Sequence, residues 1–144
     1  MSTESLSNLY TVEHLRAQKA VAMALGKKEY RAAANRFVSM LLNNGLLQTL
    51  TFFEAKDQLI HRHVADYLQE WLCQREGRIR LPDELRNHIC SLNLADYRAA
   101  TVETLAYATW LKRFADAKFK ASKKAVMGES QKTEKQQITA PGQV

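Results

Sequence analysis

A chain of 144 residues, 46% of them hydrophobic, is one domain in length and long enough to bury one core. Its 21 Lys and Arg against 15 Asp and Glu give a formal charge of +6, which suits a polyanionic partner, and no run of 18 or more apolar residues exists to span a membrane. Two cysteines, Cys73 and Cys90, and an opening MSTESLSNLY without a basic or an apolar signal region point to a reducing, cytoplasmic setting.

With two prolines, five glycines and no alternating β-branched run, the chain reads as all-α. The expected architecture is a single compact bundle of five or six helices over 1–127, followed by a disordered, polar and basic tail over 128–144. Ser2 to Tyr10 reads as frayed. Thr11 is placed to cap a first helix, with Glu13 favourable to its dipole, and Gly26 stops it after Leu25. Ala17, Val21, Ala24 and Leu25 form its small apolar side. Arg16 and Lys19 lie across from them, as a solvated cationic edge or a contact.

Lys27 to Asn44 carries Tyr30, Ala33, Ala34, Phe37, Val38, Leu41 and Leu42 at helical steps. Lys27, Lys28 and Arg31 crowd its first turn, against the dipole preference for acids there. Asn43-Asn44-Gly45 ends it, because glycine takes the positive φ of a helix stop at no steric cost. In the next helix Leu46, Leu50 and Phe53 fall in one arc, with Leu47 on its shoulder. Gln48, Phe52 and Lys56 form a stripe on the opposite side. That stripe either meets a partner or consists of a packed ring beside a solvated lysine.

Asp57 to Glu76 is a fourth helix, continuous or not with the third, with Leu59, Val64, Leu68, Trp71 and Leu72 on its apolar side. His61 and His63 stand about 200° apart on a helix, and His88 and Cys90 repeat the spacing, so no metal site is expected. Gly77 to Leu81 interrupts the pattern. Pro82-Asp83-Glu84 reads as the start of a short fifth helix that packs through Leu85, Ile89 and Leu92.

The last helix is expected from Asp96 to about Val126. Tyr107, Trp110, Leu111, Phe114 and Ala115 make its buried side. Lys112, Arg113, Lys120, Lys123 and Lys124 gather in an arc of about 120° opposite. Asp116 lies inside that arc and dilutes it. From Lys118 onward the chain carries six Lys and two Glu, leaving a net charge of only +2 before it. No Gly-rich phosphate loop, HExxH, GxSxG or Mg²⁺-binding acidic set occurs, so neither catalysis nor a cofactor is expected.

Asn44-Gly45-Leu46-Leu47-Gln48-Thr49-Leu50, with Ala55-Lys56 after it, closely resembles the signature of the small subunit of Cmr-type (type III-B) CRISPR effector complexes. Thr11 to Ala17 is similar to that family's opening helix. Ala100 to Ala115, centred on Trp110-Leu111-Lys112-Arg113-Phe114-Ala115, is a second literal resemblance. The chain between these blocks departs from the family.

The resemblance implies a non-catalytic structural subunit that stacks with further copies of itself inside a guide RNA ribonucleoprotein for antiviral defence. Its partners would be the repeated backbone subunit, the large polymerase-like subunit, guide RNA and target RNA. On this reading Arg16, Lys112 and Arg113 contact RNA phosphates, with Lys19 beside them, while Asn44, Gln48 and Lys56 contact RNA or a neighbouring subunit. The rivals are a helical DNA-binding regulator, suggested by the short turn between two helices, and an adaptor that binds only protein.

Overall fold

The structure, a computed structural model, describes residues 11–139, with side chains to residue 129. The expected fraying of Ser2 to Tyr10 lies outside the described residues. Helix α1, Val12–Met23, opens where the Thr11 hydroxyl accepts the His14 N–H at 3.1 Å. It ends two residues before Leu25 because Ala24 turns extended, and the Lys118 ammonium donates to the carbonyls of Val21 and Ala24 at 2.5 and 2.6 Å. Lys118 therefore caps α1. A Cβ on Gly26 would lie 2.7 Å from the Lys118 backbone, so glycine is what admits this close crossing.

Helix α2, Lys28–Asn44, buries Tyr30, Ala34, Phe37, Val38 and Leu41, while Leu42 turns outward. Gly45 then adopts φ 87°, ψ 173°, a region open essentially to glycine alone. Helix α3, Leu46–Lys56, buries Leu46, Leu50 and Phe53, the arc read from the sequence, together with Thr49. The Thr49 hydroxyl satisfies itself on the Gly45 carbonyl at 2.7 Å, so its burial leaves no orphaned donor. Gly45 has no side chain to cap α3, and the Tyr97 hydroxyl accepts the Leu47 N–H at 3.2 Å in its place.

A left-handed Asp57 (φ 47°) breaks the chain before helix α4, Leu59–Glu76, so the third and fourth helices are separate. The buried side of α4 is Ile60, Val64, Ala65, Tyr67, Leu68 and Leu72, with Leu59 exposed and Trp71 half-buried. Helix α5, Leu85–Ser91, starts later than Pro82-Asp83-Glu84 suggested, with no side-chain cap at Glu84. Buried Leu81 ties the preceding loop to the core.

Helix α6, Leu94–Thr139, begins at Leu94, with the Asn93 side chain accepting the Asp96 N–H at 2.8 Å. It packs on α1, α2, α3 and α4, and α3 packs on α2, α4, α5 and α6. Its interior side is Ala100, Glu103, Thr104, Tyr107, Ala108, Leu111 and Ala115, while Trp110 and Phe114 are half-buried at the edge. From Lys120 to Glu129 every side chain is exposed, so packing ends near Phe119. The helical backbone continues to Thr139 through the stretch expected as a tail, and 140–144 lie outside the described residues. The described residues thus form six helices, none long and apolar enough to cross a membrane.

Candidate nucleic-acid interface

Seven residues were expected to face RNA or a subunit, and their surroundings divide them. Arg16 is the first. Its guanidinium grips Glu103 through two parallel contacts, Nε to Oε1 at 2.9 Å and Nη2 to Oε2 at 2.5 Å, and Nη1 reaches Glu13 at 3.2 Å. Glu103 also accepts the hydroxyl of Tyr67, whose ring stacks on Tyr107 with centroids 3.8 Å apart. The Glu103 side chain is only 7% exposed. Burial alone would raise its pKa, but the hydrogen bonds from Arg16 and Tyr67 outweigh that and hold the carboxyl below its usual range. The Glu103 hydrogen bond likewise raises Arg16, and burial raises Tyr67. Of the two readings of this edge, the solvated one does not describe Arg16: its charge is engaged between α1, α4 and α6. Lys19 is also engaged, 3.0 Å from Glu70 and 5.6 Å from the Tyr67 ring.

Glu103 was missed in the sequence, although a signal was there. It stands four residues before Tyr107 and eight before Leu111, a carboxylate on the apolar side of its helix. A charge in that position needs a partner. Which residue supplies it depends on how α1 crosses α6, and that is not local information.

Asn44 at the end of α2 and Gln48 and Lys56 on α3 are all exposed. Phe52 packs edge-on against Phe53 with centroids 5.2 Å apart, and the Lys56 ammonium lies 5.4 Å from the Phe52 ring. Phe52 is thus half-buried at the rim of the core, beside the polar members of its stripe.

The outer side of α6 is more one-sided than its sequence. Asp116, which dilutes the cationic arc on a helical wheel, accepts the Arg31 guanidinium at 2.6 Å from α2. Arg31 in turn covers Phe119 at 4.8 Å. With Asp116 compensated, Lys112, Arg113, Lys120, Lys123 and Lys124 remain, and none of them forms an ion pair among the described residues. Lys120, Lys123 and Lys124 are exposed, and of the two neighbours at the N-terminal end of the ridge one is exposed and one half-buried. At 1.5 Å per residue they extend over about 18 Å. By contrast, a cleft of about 380 Å³ between α1 and α4, floored by Tyr107, is rimmed by Lys19, Asp66 and Glu70. Its mixed charge is poorly suited to a polyanion.

Comparison with known proteins covers this whole bundle. The family model of a CRISPR-associated protein (Cas_Cmr5) matches residues 9–118, ending where the packing of α6 ends. The CRISPR system Cmr subunit Cmr5 of Thermus thermophilus is 33% identical over 107 residues, covering 70% of this chain and 90% of that protein. No solved structure matches closely enough to compare.

Proposed function

The chain belongs to the CRISPR-associated Cas_Cmr5 family, and on that premise we propose that it is a non-catalytic small subunit of a type III-B (Cmr) RNA-guided ribonucleoprotein. In this role it stacks with further copies of itself beside the repeated backbone subunit and the large polymerase-like subunit, and it supports guide RNA and target RNA binding. The observation that carries the RNA-facing part is the uncompensated ridge of Lys112, Arg113, Lys120, Lys123 and Lys124 on the outside of α6. A guide–target duplex offers a regular array of phosphates, and a row of free cations meets it without reading bases. Asn44 at the end of α2 and Gln48 and Lys56 on the outer side of α3 are assigned to RNA or subunit contact.

The rival reading as a DNA-binding regulator draws no support from α3. A recognition helix must enter a major groove, and α3 is wedged among four other helices with Leu46, Leu50 and Phe53 turned inward. The test is a complex reconstituted around a guide RNA with the double variant Lys112→Glu, Arg113→Glu. Target-RNA affinity should fall, and the slope of log affinity against log salt should shrink by roughly 1.4 to 1.8 for two lost phosphate contacts. Unchanged affinity and slope would remove Lys112 and Arg113 from the interface.

A further inference from the structure

Five cations lie over aromatic rings among the described residues, and three of them also close on a carboxylate. Lys19 over Tyr67 binds Glu70, Arg31 over Phe119 binds Asp116, and Arg75 over Trp71 binds Asp96. The other two have no carboxylate partner among the described residues: Lys56 over Phe52, and Arg113, whose guanidinium is 5.8 Å from the Trp110 ring. A ring attracts a cation without cancelling its charge. These two side chains are therefore directed by their neighbours while their donors stay available.

Arg113 has the more developed support. Trp110 stacks on Phe114 with centroids 5.4 Å apart and planes 22° from parallel. The indole N–H donates to Glu13 at 2.6 Å, which fixes the ring against α1. Glu13 is engaged in the process, since its other oxygen meets Arg16. Phe114, Trp110 and Arg113 thus form a short ladder that begins at the edge of the core and ends in an exposed guanidinium. A guanidinium is flat and weakly hydrated, and unpaired bases stack on such planes.

We propose that Arg113 is a stacking platform for one unpaired RNA base, with Trp110 and Phe114 holding the guanidinium at the surface and its N–H groups meeting an adjacent phosphate. The proposal rests on the RNA-facing reading of the α6 ridge and adds to it a contact that a point charge cannot make. Lysine at this position would keep the charge and lose the plane.

The experiment uses the reconstituted guide-loaded complex with Arg113→Lys or Arg113→Glu, and as probe a single-stranded RNA complementary to the guide. A second set of probes carries one abasic nucleotide at successive positions. Arg113→Lys should weaken binding roughly five- to a hundred-fold, the range for one lost stacked base, while leaving the salt slope unchanged. Abasic nucleotides at positions paired with the guide should weaken binding equally with Arg or Lys at 113, whereas at the one unpaired position the wild type should lose affinity similarly and Arg113→Lys should not. If Arg113→Glu weakens binding and Arg113→Lys matches the wild type, the contact is charge alone and the platform is refuted. If neither variant changes affinity or salt slope, the RNA-facing reading of the ridge fails with it. Loss of co-migrating subunits with RNA affinity intact would place Arg113 against protein and also overturn the proposal.

Discussion

Glu103→Gln tests whether the bundle depends on the ion pair between α1 and α6. The carboxylate is 7% exposed, grips the Arg16 fork and accepts the Tyr67 hydroxyl. Glutamine keeps the shape but offers a single acceptor oxygen and no charge, so the Arg16 guanidinium, itself 20% exposed, loses its principal counter-ion. Breaking a buried pair from one side costs about 3–5 kcal/mol, and the contact of Arg16 with Glu13 places this case near the lower bound. For a domain of this size about 3 kcal/mol corresponds to roughly 10 °C in melting temperature. Thermal melts across pH carry a second readout. The Glu103 pKa is depressed below its unfolded value of 4.5, so its stabilisation is complete above that pH and is lost as pH falls through the lower folded value. The gap between wild type and variant should therefore narrow as pH is lowered below 4.5. A melting temperature within about 2 °C of wild type at neutral pH, or a gap constant across the acid range, would refute the reasoning. Arg16→Met should lower the melting temperature comparably and leave the salt slope of RNA binding in the reconstituted complex unaltered; a reduced slope would return Arg16 to the RNA surface.

Gly45→Ala should lower the urea midpoint by an amount equivalent to about 1–3 kcal/mol, since the new Cβ meets only the Tyr97 hydroxyl at 3.7 Å and the cost is backbone strain at φ 87°. An unchanged midpoint would mean the junction relaxes freely. Burial depresses the pKa values of His61 and His63, and the His63 Nδ1 lies 2.8 Å from the Tyr30 hydroxyl. The unfolded chain therefore binds these protons first, and stability in urea should decline as pH falls below 6.5, ahead of the loss linked to Glu103. A His61→Asn, His63→Asn double variant should flatten that upper limb, and a steep limb that survives in it would assign the effect elsewhere.

Legibility in the sequence followed the range of the interaction. The α3 arc of Leu46, Leu50 and Phe53 was correct because three apolar residues at helical spacing leave one choice of inward face. On α1 the choice was weak: Ala17, Ala20, Val21 and Ala24 differ little in size. The expected Val21 is exposed while Ala20 is buried. Trp110 and Phe114 were placed inside and sit at the edge, because a helical wheel gives direction but not the depth to which a neighbour covers it. The cationic arc on α6 was read from its own residues, and its strength was not, since Asp116 is compensated from α2.

The sequence alone determined the helical class, the break at Gly45, the start at Thr11 and the family blocks. Each of these is decided within a turn or two of chain, by periodicity, glycine and capping hydroxyls. Only the tertiary structure decided which charges are consumed and which stay free. Arg16 is closed by Glu103 and Asp116 by Arg31, 87 and 85 residues away along the chain, and Lys118 reaches back to cap α1. A charge shows its sign in the sequence, but its partner is fixed by how two helices cross.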